Sequence, residues 1–444
     1  MKNIKWTWWV LLLSLTGLWL LADTLAPEPF TYFSFRAVLI QYTGVIGIGV
    51  MSVAMILAVR PIWLEPHLRG LDKMYRLHKW LGITGLVFAL IHWWWAQGTK
   101  WMVGWGWLIK PERKPGGQQA LGLAEEWLRG QRGLAESLGE WAFYAAVILI
   151  ALALIKRFPY HLFTKTHKWL AISYLILVYH SLVLTQFGYW TQPVGWVMAV
   201  LMLAGSVAAV IVLLGRIGAR RRSSGVIESL TYYPELRVLE SAIRMEAGWG
   251  GHAAGQFAFV SSQPGEGPHP YTIASAWDPQ ERRIVFITKA LGDHTSKLHD
   301  RLKIGTQVRV EGPYGCFDLR DGKPRQIWIG AGIGITPFVA RMKELARKPA
   351  GQAIDLFHPT ADFAPAAIDK LIADAQAARV NLQVLVSGKD GRLDGGRIRE
   401  AVPEWRQASI WFCGPLGFGQ ALRQDFVAHG LAPADFHQEL FQIR

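Results

Sequence analysis

Only two cysteines occur in the 444 residues, Cys316 and Cys413, and both lie in the second half. That excludes a disulfide framework and a thiolate-held metal cluster. Acidic residues are scarce, 33 against 47 Lys and Arg, which leaves a formal net charge of +14. Such a surplus raises the question of nucleic acid. Much of it, however, sits in short segments beside apolar runs, where positive charge orients membrane spans, and no nucleic acid partner is expected. The most informative deficiency is local: between Trp169 and Gly215 there is no Asp, Glu, Lys or Arg at all. This stretch is about twice the roughly 20 residues that one span needs. It therefore folds back, with the turn expected in QFGYWTQPVG, around Gly188 and Pro193. The amino-terminal apolar run lacks a clear small-x-small cleavage pattern and is read as a retained first helix.

Further apolar runs at 6–22, 37–59, 78–95 and 141–155 bring the expected number of spans to six. Basic residues precede the first run (Lys2, Lys5) and flank the second and fourth connections (Arg60, Arg69, Lys73, Arg76; Lys156, Arg157, Lys165, Lys168). They also follow the last run (Arg216, Arg220, Arg221, Arg222). All of these fall on one side, which should be cytoplasmic. The 22 tryptophans, many at the ends of apolar runs, fit interfacial belts in contact with membrane lipid. A multi-pass protein of the cell membrane is expected. Its third and fifth spans both leave the cytoplasmic face and run parallel.

Those two spans repeat one device. LHKWLGITGLVFALIH contains His78 and His92, and THKWLAISYLILVYH contains His167 and His180. An imidazole inside a membrane span is costly and marks a functional site. The helical rise puts the members of each pair roughly 20 Å apart, so each helix offers one imidazole near each leaflet. His78 then meets His167 at the inner depth, and His92 meets His180 at the outer depth. Two axial imidazoles at each depth form the ligand set of a six-coordinate b-type haem, and two such haems are expected. Fourteen helical steps separate the first pair and thirteen the second, so the second pair does not return to one face without a helix irregularity or rotated haem planes. His67 and His161 fall in the cytoplasmic connections and are read as solvated. Arg60, Arg69 and Arg76 are read as topogenic charges.

After Arg222 the composition becomes that of a soluble protein. Short strands alternate with Gly and Pro turns over about a hundred residues, the pattern of a small antiparallel barrel. From Arg325 strands and helices alternate. QIWIGAGIGITPFVARMKELA reads as strand, glycine turn and helix, a place where backbone can approach a pyrophosphate at a helix amino terminus.

The paired-histidine spacing and the order of these motifs resemble the NADPH oxidase and ferric reductase family of transmembrane flavocytochromes. The resemblance implies a multi-domain membrane protein: a six-helix transmembrane bundle that binds haem (1–222), an antiparallel β-barrel FAD domain (223–320) and an α/β nucleotide-binding domain (321–444). Within it, His269, Pro270, Tyr271, Thr272 and Ser275 correspond to the flavin-binding strand. Thr288, Gly292 and Thr295 stand where the family contacts the flavin pyrophosphate, and Gly312-Pro313-Tyr314-Gly315 closes the barrel. Gly330, Gly332 and Gly334, followed by Thr336 and Pro337, match the nicotinamide-nucleotide motif, and Cys413, Gly414 and Pro415 match its nicotinamide-side partner. An aromatic near the carboxyl end covers the flavin in relatives. Phe441 is the candidate here, with Phe436 as an alternative. The segment 357–362 lacks the Arg that often holds the 2′-phosphate of NADPH. Lys389 or Arg392 could substitute, and NADH stays open as the alternative.

The implied function is transmembrane electron transfer from cytosolic NAD(P)H through FAD and two haems. The expected acceptor is dioxygen, giving superoxide, because the tryptophan-rich segment 96–138 would roof the outer haem and exclude bulky chelates. A ferric chelate is the alternative acceptor, and an extracytoplasmic partner protein is a third. No side chain is singled out as a catalytic acid, base or nucleophile, since the cofactors carry the chemistry.

Overall fold

The computed structural model describes residues 2–111, 122–155, 157–263, 267–292 and 294–439. It divides into two compact units, Met1–Leu64 with Lys73–Ile217 and Glu65–Asp72 with Gly218–Arg444.

The first unit is helical. Its helices are α1 (Lys2–Leu20) and α2 (Tyr32–Ala58), then, after the short α3 (Glu65–Leu68) of the second unit, α4 (Leu71–Trp93), α5 (Thr99–Gly104), α6 (Leu123–Gly130), α7 (Arg132–Leu154), α8 (Tyr160–His167), α9 (Leu170–Leu184) and α10 (Pro193–Leu213). Among the described residues, four stretches are long and apolar enough to cross a membrane: Tyr32–Ala58, Arg132–Leu154, Leu162–Leu184 and Pro193–Leu213. The expected six are not all of that kind. The apolar run Ile4–Leu20 is shorter, and α4 opens with Asp72, Lys73, Arg76 and Lys79. The charge-free stretch does fold back, through the turn Phe187–Thr191, and α10 starts on Pro193, where a missing N–H costs nothing. Two sets of buried polar side chains in this unit are paired with one another, as an apolar surrounding favours. Trp19 donates to the Tyr189 hydroxyl at 3.0 Å, and the Ser52 and Tyr174 hydroxyls lie 2.8 Å apart.

The break between α8 and α9 answers the uneven histidine spacing. His167 ends α8, and i→i+3 hydrogen bonds follow: Trp169 N to Thr166 O, Ala171 N to Lys168 O and Ile172 N to Trp169 O, all at 3.0–3.1 Å. Such tight turns advance about 120° per residue instead of about 100°, which moves His180 back toward the face that His167 occupies.

The second unit holds two sheets. The first is antiparallel, in the order β4-β3-β6-β1-β2-β5, with β1 (Arg222–Tyr233), β2 (Val238–Met245), β3 (Phe257–Ser261), β4 (His269–Thr272), β5 (Arg283–Lys289) and β6 (Gln307–Tyr314). β5 alternates buried and exposed residues with period two, so Ile284, Phe286 and Thr288 face the interior. Of the expected closed barrel the antiparallel sheet is present; among the described residues one isolated bridge, Ile273–Phe286, joins the segment after β4 to the middle of β5, and no ladder runs between those two strands. The turn after β6 is held from outside the sheet. Arg221 donates to Pro313 O at 2.8 Å, and the Glu65 carboxylate accepts the Gly315 N–H at 2.7 Å.

The second sheet is wholly parallel, in the order β11-β10-β7-β8-β9, with β7 (Arg325–Gly330), β8 (Ala353–Thr360), β9 (Asn381–Val386), β10 (Ala408–Cys413) and β11 (Phe436–Gln438). β7 and β10 are almost wholly buried, as expected of central strands with both faces covered. Trp328 on β7 is fully buried, stacks on Phe338 at 5.4 Å and donates its indole N–H to Gln326 at 2.8 Å. Trp328→Ala should lower stability by about 3–5 kcal/mol. Thermal unfolding of the detergent-solubilised protein would register this as a lower melting temperature, and an unchanged one would contradict the packing described.

Candidate functional site

The four histidines of the first unit form two facing pairs. His78 and His167 have ring centroids 5.9 Å apart with planes at 71°, and His92 and His180 are 6.2 Å apart at 75°. Two metal–imidazole bonds of roughly 2 Å each, plus half a ring at each end, span about 6 Å. Their tautomers follow from hydrogen bonding. His78 Nδ1 lies 2.9 Å from Ala54 O, His92 Nδ1 3.1 Å from Ile40 O, and His180 Nδ1 2.8 Å from Ala135 O. A carbonyl only accepts, so Nδ1 carries the proton in all three and Nε2 keeps its lone pair. This is the arrangement by which metal-binding histidines are oriented. His167 Nδ1 is buried with no hydrogen-bond partner among the described residues. Among those residues no group of three or more His, Cys, Asp or Glu that could hold a metal ion is found; a group held between the facing rings would take two imidazole nitrogens from the protein at each site.

Space for such a group exists at the His92–His180 end. A cavity of about 1610 Å³ is lined by both histidines, Gly44, Gly47, Gly85 and Gly139. A Cβ on Gly139 would fall 2.0 Å from His180 Nδ1, so glycine there is a condition of the ring's placement. The mouth differs from the aromatic roof expected from segment 96–138. Lys100, Lys110, Glu125, Arg129, Arg132 and Glu136 line the cavity, whereas Trp105, Trp107 and Trp127 do not line it and stay more than half exposed. The amphipathic turn of that segment places its charged residues toward the cavity and its indoles outward.

In the second unit the flavin-type motif is brought together. β4 is an edge strand and all four of its residues are half-buried. The Tyr271 hydroxyl lies 2.9 Å from His294 Nε2, which joins the strand to the loop carrying Gly292 and Thr295. Thr295 Oγ1 accepts the N–H groups of Leu291 and Gly292 at 3.0 and 3.2 Å and so shapes that loop. Thr288 and Ser275 are buried. Ser275 Oγ accepts the Val285 N–H at 3.1 Å, and its carbonyl lies 2.9 Å from His252 Nε2. Pro270 and Thr272 pair with Phe259 and Phe257 on β3.

The nucleotide-type motifs also converge. The chain leaves β7 for β8 on one side, while β10 lies on the other, so the crevice at the carboxyl ends of β7 and β10 is a topological switch point, where open α/β sheets bind ligands. Gly330 to Pro337 and Cys413 to Pro415 meet there. The Ala331 N–H donates to Cys413 O at 2.9 Å, and a Cβ on Gly334 would lie 2.2 Å from that same oxygen. Gly332 has φ +56°, and the tight turn it opens leads into α12 (Thr336–Arg347), where Thr336 donates to Ile333 O at 2.7 Å and Pro337 occupies the first turn. A second cavity, of about 510 Å³, reaches Ser275 on one side and Gly332 on the other.

Several neighbours were not foreseen. His358 is buried and donates from Nδ1 to Gly330 O at 2.7 Å, buttressing the glycine turn. Glu439 is buried beside Cys413, and burial together with that carboxylate pushes the thiol well above its ordinary value, so Cys413 stays a neutral thiol. Neither carries a motif signal, since both depend on tertiary neighbours. Lys389 lies over the Phe363 ring at 5.7 Å, while no contact is found for Arg392 beyond its carbonyl, which accepts from Arg397 at 3.1 Å. Phe441 lies outside the described residues, and Phe436 is a core residue of the parallel sheet.

Comparison with known proteins follows the same division. Residues 43–178 match the family described as ferric reductase like transmembrane component, and residues 237–317 match an FAD-binding domain. The chain is 34% identical over 155 residues to an NADPH oxidoreductase of Mycobacterium tuberculosis, a match covering 33% of this chain and 40% of that protein. It is 30% identical over 196 residues to a flavohemoprotein of Bordetella pertussis, covering 39% and 48%. It is 26% identical over 198 residues to the toluate 1,2-dioxygenase electron transfer component of Pseudomonas putida, covering 42% and 58%. The chain thus spans about half the length of the curated relatives it matches.

Two tests follow from the second unit. Gly334→Val should abolish flavin reduction by NADPH or NADH in stopped-flow absorbance while bound FAD is retained; normal reduction would remove the crevice from the nucleotide path. Burial pushes the His252 imidazole down to about 4, so the unfolded chain binds more protons than the folded one between about pH 4 and 6.5. This histidine's contribution is full above about pH 6.5 and declines as pH falls toward about 4. Urea midpoints measured across that window should drop less steeply for His252→Gln than for the unsubstituted protein, and equal slopes would contradict the assignment.

Proposed function

From the architecture of the NADPH oxidase and ferric reductase family, present here as a ferric-reductase-like transmembrane component joined to an FAD- and NAD(P)H-dependent oxidoreductase module, we propose a transmembrane electron-transfer enzyme. It takes electrons from cytosolic NAD(P)H, by way of FAD and two b-type haems, to an acceptor on the opposite face of the cell membrane. Bound flavin converts a hydride's electron pair into single electrons, and haem iron carries electrons singly.

The observation that supports this reading most is the pair of His–His ring-centroid distances of 5.9 and 6.2 Å, at two positions along α4 and along the α8–α9 stretch. His78 with His167 would hold the inner haem and His92 with His180 the outer one. Gly139 keeps the surroundings of the His180 ring open. His269, Pro270, Tyr271, Thr272 and Ser275 would bind the isoalloxazine end of FAD, with Thr288, Gly292 and Thr295 toward its pyrophosphate. Gly330, Gly332, Gly334, Thr336 and Pro337 would cradle the nicotinamide nucleotide's phosphates, and Cys413, Gly414 and Pro415 would border its nicotinamide, with Phe441 over the flavin. The division 1–222, 223–320 and 321–444 assigns one cofactor class to each domain, with six spans in the first.

With His92 and His180 both holding the outer haem, no iron position would be left for an acceptor, and the haem would supply single electrons at its edge. Dioxygen, which needs no binding pocket of its own, is the leading acceptor and would yield superoxide. A ferric chelate is the second reading, favoured by Arg36, Lys100 and Lys110 around the cavity, which would draw in an anionic complex, while Arg129 and Arg132 are paired with Glu125 and Glu136. Superoxide-dismutase-sensitive cytochrome c reduction, set against ferrozine-trapped ferrous iron, separates the two. His180→Ala should halve haem per chain in a pyridine-haemochrome assay and leave flavin reduction by NAD(P)H intact; unchanged haem would refute the ligand assignment.

A further inference from the structure

The contact between the flavin-type strand and the following loop runs through a residue to which none of the motifs assigns a role. His294 stacks face to face on His269, with centroids 3.6 Å apart and planes at 7°, and its Nε2 lies 2.9 Å from the Tyr271 hydroxyl. His269 and Tyr271 are positions i and i+2 of β4 and so share one face of the strand. His294 therefore bridges two neighbours on that face, one by its ring and one by its nitrogen.

The bridge matters because of where Tyr271 stands. β4 is an edge strand with half-buried residues, and the ring contact Tyr271 makes within the sheet, to Phe286 at 6.1 Å and 58°, is tilted rather than face to face. A phenol ring that is to lie flat against an isoalloxazine needs its plane defined before the flavin arrives, and its hydroxyl end offers the longest lever for that. The His294 nitrogen holds this end, and the His269 stack fixes the plane of His294 in turn.

We propose that His294 is a positioning residue for FAD, setting the orientation of Tyr271 against the flavin ring and tying the 288–295 loop to β4. This rests on the reading that Tyr271 faces the flavin. Three variants of the full-length protein in detergent test it, with FAD titrated into each apoprotein. His294→Phe keeps a flat ring beside His269 and removes the nitrogen. FAD should bind about tenfold more weakly, the loss of about one hydrogen bond's worth of affinity, and the fluorescence of bound flavin should rise as the phenol ring ceases to quench it. His294→Gln restores a hydrogen-bonding group and should bring affinity to within about threefold of the unsubstituted protein, with quenching regained. Equal affinity and fluorescence in His294→Phe, or a Gln variant as impaired as the Phe variant, would overturn the role given to His294. Tyr271→Ala separates the two levels. If it leaves FAD affinity and fluorescence unchanged, the placement of the flavin itself is wrong. If it weakens both while His294→Phe behaves normally, only the positioning role fails.

Discussion

Three imidazole N–H groups bonded to main-chain carbonyls govern the helical unit. Ala54 O on α2, Ile40 O on α2 and Ala135 O on α7 each take the Nδ1 proton of a histidine on another helix. The carbonyls are already part of helices, so the rings are held by elements that cannot easily move. In apolar surroundings an unsatisfied ring nitrogen is costly. Satisfying Nδ1 leaves each Nε2 with its lone pair, in rings whose centroids lie 5.9 and 6.2 Å from those of their partners. Helix order, the glycine at position 139 and the kink near residue 168 all serve that placement.

The soluble unit solves a different problem with the same economy of side chains. Its crevice is built where the strand order reverses, and the close approach of two loops there is possible because Gly334 and Gly414 present no Cβ to Cys413 O and Ala331. His358 supports one loop from below and Glu439 borders the other. Ion pairs connect strands of the antiparallel sheet to segments packed around the parallel one, Lys289 with Asp362 at 2.6 Å and Glu240 with Lys370 at 2.7 Å, and Ser275 and Gly332 line one cavity beside them. These pairs are partly exposed, and each contributes modestly.

Much of this was readable in the chain. Histidine spacing predicted which rings meet, because helical rise and membrane thickness leave few alternatives. Motif order marks Gly330 to Pro337 and Cys413 to Pro415 as two parts of one nucleotide motif, each following a hydrophobic strand. What could not be read depends on contacts between distant segments. The open edge of the antiparallel sheet, the His269–His294 stack and the buried Glu439 have no local pattern. Side-chain direction was also hidden: among the described residues of 96–138, Lys100, Lys110, Glu125, Arg129, Arg132 and Glu136 line the cavity, whereas Trp105, Trp107 and Trp127 do not.

The account stands or falls on what lies between the facing imidazoles. An anaerobic absorption spectrum of the purified full-length protein, recorded before and after NADPH and combined with the haem content per chain, addresses this directly. Two haems per chain, with bands of six-coordinate low-spin iron that sharpen on reduction by the nicotinamide, are the predicted result. A protein prepared with ample haem that shows no Soret band, or whose bands are those of five-coordinate iron, would contradict it.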